Sequence, residues 1–322
     1  MAIEVKGSPN PTRICLGTAR FGSGIPEDQA VAVLDAYTAA GGNFLDTAHI
    51  YAAWEHGGWG ASERLLGAWM AARRNRDRLF LATKGGHPPL DDWDRDWPGF
   101  AGLQRELGES LERLGVDWVD FYWLHRDDPR QPVGAVIDSV AQLMEDGGRI
   151  RAYGLSNWSP RRIAEAMEHA AKWGLPAPAV SQPGWALADW ALQEPPFPGM
   201  RYFGEEDRRW HMKTQTPAVA YSAQAKGYFG AENAAWARAG FAGPPPRGRE
   251  YDSPENRSRL TRAAALAEKK GSSANQIALA WLLAQPFPVY ALVTTSQSGR
   301  MPELMAARNI GLSESERDFL AP

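Results

Sequence analysis

A closed (β/α)8 barrel, a TIM barrel, is the fold class this sequence predicts, on three observations. Short β-rich runs alternate with amphipathic helical stretches, the pattern of βαβ units around a parallel sheet. Eight such runs can be counted, and eight strand-helix units in 322 residues suit a closed barrel better than an open doubly wound sheet. No low-complexity linker interrupts the chain, so residues 1–322 are expected to form a single domain.

The runs cover residues 13–16, 43–46, 79–83, 121–124, 151–155, 179–181, 218–221 and 290–295. Helical periodicity fills 27–40, 62–73, 103–114, 133–145, 160–173 and 272–284, with Gly41, Gly67, Gly115 and Gly147 expected as left-handed C-caps. Two stretches, 187–217 and 227–254, break the rhythm with Trp, Pro, Gly and charge. Each follows a late strand, so both are expected as long loops over the C-terminal face, where barrel chemistry resides.

Composition narrows the function. Hydrophobic residues make up 44% and charged residues 23%, as in ordinary soluble proteins. With 35 Lys and Arg against 38 Asp and Glu, no basic field exists to hold nucleic acid or an anionic membrane. The one cysteine, Cys15, allows no internal disulfide and suits a reducing compartment. The N-terminus lacks the apolar core of a signal peptide, and the apolar stretch 277–284 falls short of the roughly 18 to 20 residues a spanning helix needs. A soluble, cytoplasmic protein is expected. Its 14 Trp, several beside Gly, Pro and charge, hint at flat apolar binding surfaces.

Familiar motifs are missing. Residues 17–24, GTARFGSG, have P-loop glycine spacing but Ser-Gly where Lys-Ser/Thr belongs. There is no HExxH and no cysteine pair, and His49 with His56 has no accompanying carboxylate set, so no metal is expected. More informative is what stands at the strand ends: Asp46, Lys84, His125, Ser156 with Asn157, Gln182, Tyr221 and Ser296. Any one could be a cap or a satisfied core group. A polar group at nearly every strand end is what a shared site at the barrel mouth requires.

Seven segments and their order then resemble a known family, the aldo-keto reductases: NFLDTAHIY (43–51) with ASERLLG (61–67), ATKGG (82–86), DFYWLHRDDP (120–129), RAYGLSNWS (151–159), SQPGWAL (181–187), AYSAQAKG (220–227) and TTSQSGR (294–300). The resemblance covers nearly the whole chain. It implies a barrel that moves hydride between a nicotinamide cofactor and a carbonyl or alcohol, with a catalytic tetrad on Asp46, Tyr51, Lys84 and His125. It also implies that Ser156, Asn157 and Gln182 hold the cofactor carboxamide and that Tyr221 stacks on the nicotinamide. Ser222, Gln224 and Lys226 fall at the pyrophosphate, and Thr295, Ser296 and Arg300 at the adenosine phosphate, with Leu304 near the adenine. Thr295 stands where some members carry lysine, and Glu303 opposes a phosphate, so NADPH is expected over NADH without strict exclusion.

The tetrad's chemistry also follows from its residues. Carbonyl reduction needs a hydride on carbon and a proton on oxygen. Tyr51 can give the proton, but a phenol with pKa near ~10 is a poor acid at neutral pH. Lys84 is expected to favour the phenolate, Asp46 to hold the lysine charged and aimed, and His125 to orient the substrate oxygen. Phe21, Trp54, Trp59, Arg126, Asp127 and Trp158 lie nearest the mouth in sequence. Of these Trp54, Arg126 and Trp158 are expected to contact substrate, whereas Trp69, Trp173 and Trp281 read as helix packing. Aromatic faces beside charged groups suit a sugar or sugar-derived carbonyl. Two other readings remain: a cofactor-binding regulatory subunit, and a glycoside hydrolase using Asp127 and Glu205.

Overall fold

The computed structural model describes residues 2–321 apart from Asp96 and Gln193. Eight parallel strands close into a barrel in chain order: β1 (Ile14–Gly17), β2 (Phe44–Asp46), β3 (Phe80–Gly85), β4 (Val119–Leu124), β5 (Ile150–Ser156), β6 (Ser181–Gln182), β7 (Ala218–Ala220) and β8 (Val289–Val293). Closure pairs Ile14 with Ala291 and Leu16 with Val293. Around it run α1 (Glu27–Ala39), α2 (Ala61–Arg73), α3 (Gly99–Leu114), α4 (Val133–Glu145), α5 (Pro160–Trp173), α6 (Glu205–Thr214), α7 (Ala231–Arg238), α8 (Pro254–Lys270), α9 (Ala274–Leu283), α10 (Met301–Ala306) and α11 (Glu314–Leu320). No helix is long and apolar enough to cross a membrane among the described residues.

Strand period sorts the core into two parts. Phe44, Phe80, Ala82, Phe121, Trp123, Val219 and Tyr290 form one buried cluster inside the barrel, while their neighbours Leu45, Leu81, Tyr122 and Leu124 join the helices outside. The interior is a tight aromatic plug: Phe44 meets Phe80 edge-on at 4.8 Å, and Phe121 lies 4.6 Å from Trp123. Gly154 on β5 is small because a Cβ there would stand 2.6 Å from both the Trp123 ring and the Val180 carbonyl oxygen.

Three sequence expectations need correction. The stretches 187–217 and 227–254 are not structureless, since they contain α6 and α7. The polar first turn of α6, Glu205 to Asp207, suits a helix N-terminus and masked its periodicity. Trp173 does not pack inward; at the end of α5 it is 62% exposed with Lys172 beside it, whereas Trp69 and Trp281 are buried. Gly67 is no cap. Gly41, Gly115 and Gly147 have positive φ, but Gly67 lies inside α2, where a Cβ would come 2.5 Å from the Arg113 carbonyl oxygen and 2.8 Å from the Leu114 carbonyl.

Gly67 is therefore a helix-contact residue, and its replacement has an unusual sign. In an open helix Gly→Ala stabilises by about 1 kcal/mol. Here Gly67→Ala must push the α3 backbone away and is expected to destabilise by roughly 1–3 kcal/mol, read as a lower urea midpoint. A midpoint at or above the parent's would show that α2 and α3 separate without penalty.

Candidate active site

The same two-residue period that builds the plug places polar side chains on top of it. Above Phe44 on β2 comes Asp46, above Phe80 and Ala82 on β3 comes Lys84, and above Phe121 and Trp123 on β4 comes His125. The β2–β3 register sets Asp46 against Ala82, so Lys84 rises one inward step beyond the aspartate. Its Nζ donates to Asp46 Oδ1 and, at 2.8 Å, to the Thr47 carbonyl oxygen. Both side chains are buried. Tyr51, in the turns after β2, has its ring centroid 5.0 Å from Lys84 Nζ and sits edge-on to His125 at 5.9 Å.

Electrostatics sharpen the roles and correct one. Burial pulls Lys84 down, but Asp46 and Tyr51 outweigh it and leave the ammonium above its ordinary value. Tyr51 does not end up more acidic than a free phenol: burial raises it, and Lys84 only partly offsets the rise. The phenol is thus held protonated. His125 is pushed well below the usual imidazole range by burial, then by His87 and Arg126, so its ring is neutral, with Nδ1 enclosed and unpartnered. His87 falls to about 4, chiefly through burial and then through Arg126.

The next strand ends form a connected amide cluster. Gln182 Nε2 donates to Asp46 Oδ2 at 3.0 Å, and Ser156 Oγ donates to the Gln182 carbonyl oxygen at 3.1 Å. Asn157, held at φ 66°, gives its Nδ2 hydrogens to the His125 carbonyl oxygen and Ser156 Oγ. Its Oδ1 accepts from the Tyr221 hydroxyl at 2.7 Å and from the Arg201 backbone N–H at 3.0 Å. All four hydrogen-bonding positions of that amide are in use, so Asn157 braces the site, and Gln182 keeps a spare N–H. Thr47 and Arg201 escaped sequence reasoning because each acts here through its backbone.

Tyr51, His125, Ser156, Asn157, Gln182 and Tyr221 open into one continuous cleft of about 1510 Å³ that runs on to Ser222, Gln224, Lys226, Thr295, Ser296 and Arg300. Gln224 Oε1 accepts from the Thr294 backbone N–H at 2.9 Å, and Lys226 pairs with Glu250 at 2.5 Å. Arg300 has no carboxylate partner among the described residues. Glu303 lines the cleft but accepts from Ser273 Oγ at 2.6 Å, whereas Leu304 is buried in the core and does not line it. Ser272 Oγ and Asn275 Nδ2, both on the lining and both missed in the sequence, are enclosed polar atoms without partners.

The substrate candidates divide. Trp54, half exposed, and Arg126 line the cleft, joined by His87, Trp93, Phe197 and Met200 from elsewhere in the chain. Trp158 and Phe21 do not line it; both are buried in the outer core, Trp158 with the Arg162 guanidinium 5.1 Å from its ring centroid. Closeness in sequence misled because the left-handed Asn157 turns the chain between Ser156 and Trp158. Trp59 packs edge-on against His49 off the cleft. Asp127 is bound by Arg162 at 2.7 Å, and Glu205 lines a separate cavity, so these two do not flank one cleft as a glycosidase pair must. Among the described residues no three His, Cys, Asp or Glu side chains are placed to hold a metal; His49 pairs with Glu109 instead.

Comparison with known proteins identifies a family. The model of the Aldo/keto reductase family matches residues 13–320. The chain is similar to the aldo-keto reductase str7 of Strobilurus tenacellus, 37% identical over 157 residues, 47% of this chain and 43% of that relative, so the match spans less than half of the relative's length. It is 25% identical over 308 residues to the NADP(+) aldo-keto reductase yakc of Schizosaccharomyces pombe, covering 94% and 84% of the two chains. The crystal structure of an aldo/keto reductase from Klebsiella pneumoniae in complex with NADP and acetate superposes with a TM-score of 0.69 at 22% identity, covering 99% of this chain and 93% of that one, a likeness of fold.

The buried pair can be tested without substrate. Asp46→Leu leaves the Lys84 ammonium with the Thr47 carbonyl and Tyr51 but no carboxylate and is expected to cost about 3–5 kcal/mol in urea unfolding. Adding Lys84→Met should return part of that loss. A double variant as unstable as the two single losses added together would show that the pair is not coupled.

Proposed function

The chain belongs to the aldo/keto reductase family, whose members are NADP(H)-dependent oxidoreductases, and on that premise we propose that it reduces an aldehyde or ketone to an alcohol with NADPH. The observation that carries this reading is the Asp46–Lys84 pair beside a protonated Tyr51 and a neutral His125 at one end of the cleft. The cleft exceeds the ~300–1,000 Å³ of a small-molecule pocket, which leaves room for a dinucleotide beside a substrate. Its far end suits the cofactor's phosphates and adenosine, with Arg238, Arg300 and Lys226 as cations and Ser272 and Asn275 as unspent polar groups.

A nicotinamide held along this cleft would supply the hydride that the carbonyl carbon needs. Tyr51 gives its proton to the carbonyl oxygen, and Lys84 stabilises the phenolate left behind. Asp46 keeps Lys84 charged and aimed through Oδ1 while Gln182 holds Oδ2. His125, being neutral, has an N–H to offer the carbonyl oxygen. Burial keeps the Tyr51 proton in place until a substrate arrives, and the Lys84 charge limits the penalty of releasing it. For the substrate we favour a sugar or sugar-derived carbonyl, because Trp54, half exposed and with its ring centroid 6.4 Å from that of Tyr51, lines the cleft together with polar His87 and Arg126.

Mixing the protein with NADPH and a panel of aldoses and small aldehydes, with cofactor absorbance followed, should show turnover. Tyr51→Phe should lower it by about 100 to 10,000-fold while the cofactor titration stays that of the parent. Near-parental rates in that variant would sink the mechanism.

Cofactor preference rests on Arg300. Arg300→Ala is expected to weaken NADPH affinity ~10- to 100-fold, the worth of one charge-assisted contact, and NADH affinity far less, measured by tryptophan fluorescence. Equal losses for both cofactors would take the 2′-phosphate away from Arg300.

A further inference from the structure

Arg126 is a cation at the catalytic end of the cleft that, among the described residues, no acidic group meets. It follows His125 directly and lines the cleft with Tyr51. Its stem is confined by Gly199, where an added Cβ would sit 3.3 Å from Cδ. Of its five N–H donors, one is spent, Nη1 on the His125 carbonyl oxygen at 3.3 Å. Nε is enclosed without a partner. No carboxylate pairs with it among the described residues, unlike Arg162, Arg201 or Arg113, each of which meets one. Burial depresses the guanidinium.

The lining that the chain contributes up to Met200 has the same sign: among the described residues, Arg20 is its other charged residue and no Asp or Glu belongs to it. The acidic residues of the cleft, Glu232, Glu268 and Glu303, come from α7, α8 and α10. The enclosed Nε without a partner, and the unused Nη donors of a half-buried arginine that faces the cleft, are what an oxyanion would satisfy. Resting on the reductase reading, we propose that Arg126 is the receptor for an oxyanion group on the substrate, so that the enzyme takes carbonyl compounds carrying a carboxylate or phosphate close to the reacting carbon. A guanidinium recognises the oxygen pair these two groups share. Sugar acids and phosphorylated sugars meet this requirement together with the aromatic face of Trp54.

Two matched pairs test it: 4-carboxybenzaldehyde against methyl 4-formylbenzoate, and glyceraldehyde 3-phosphate against glyceraldehyde, each reduced with NADPH by the parent, Arg126→Gln and Arg126→Lys. At least one anionic member should exceed its neutral partner by ~10- to 100-fold in kcat/KM, carried by KM. The preference should fall to near parity in Arg126→Gln and survive in part in Arg126→Lys. The pair that shows it identifies the anion. Turnover of the neutral compounds with no preference for either anion, or a preference that Arg126→Gln leaves untouched, overturns the proposal while the reductase reading stands. Benzoate binding by calorimetry is the arm that needs no turnover. Tenfold or greater weakening in Arg126→Gln supports the anion receptor even if every carbonyl is refused, an outcome that would remove the reductase reading instead. Equal benzoate affinity in both proteins, or none in the parent, counts against Arg126.

Discussion

One ammonium enclosed at the top of the barrel governs this structure. Removing a lysine from water costs several kcal/mol even after relaxation, so Lys84 must be met from all sides. Asp46 meets it from β2 and the Thr47 carbonyl from the segment that follows. The aspartate's second oxygen engages Gln182 on β6, and Gln182 in turn takes Ser156 from β5. Four strand ends are therefore tied to one charge. A slip of one residue between β2 and β3 would send Lys84 outward among the helices and leave Asp46 unpaired, so the pair helps to specify the register that creates it.

Below that layer the aromatic plug keeps the pair dry. Phe44, Phe80, Phe121 and Trp123 fill the interior, leaving the mouth as the open side of the site. In such surroundings a hydrogen bond or charge acts more strongly than in water, and an unpaired one is correspondingly expensive. This sets the character of Tyr51 and His125. Burial holds the phenol protonated, with a proton to give, and the imidazole neutral, with one N–H left to donate. Lys84 acts less by making Tyr51 acidic at rest than by limiting how far burial raises it.

Strand period made much of this legible in the sequence. Asp46, Lys84, His125, Ser156, Gln182 and Tyr221 could be placed at one mouth because each stands at the C-terminal end of a strand run, and eight such runs were visible by composition. Proximity along the chain was a poorer guide. Trp158 lies two residues from Ser156, yet the left-handed turn at Asn157 separates their environments. Trp93, Phe197 and Met200 reach the mouth from loops whose course no periodicity describes. Backbone partners such as Thr47 and Arg201 leave no trace in residue type. Gly67 misled for a related reason, since glycine marks both a helix end and a close helix contact, and only the packed neighbour distinguishes them.

The loop between β6 and β7 then decides how firm the mouth is. Arg201 N–H donates to Asn157 Oδ1, and the Arg201 carbonyl oxygen accepts from the Tyr221 hydroxyl. Its guanidinium pairs with Asp207, whose other oxygen accepts the Gly204 N–H at the start of α6. The chain is thus fastened to the barrel two residues after Gly199, the residue that confines the Arg126 stem. Phe197 stacks parallel to Trp93 across the mouth, at 11° between ring planes. A wall anchored at Arg201 and resting on an aromatic partner holds Arg126 in place at little entropic expense on binding, which is the condition under which one guanidinium can discriminate strongly between charged and neutral substrates.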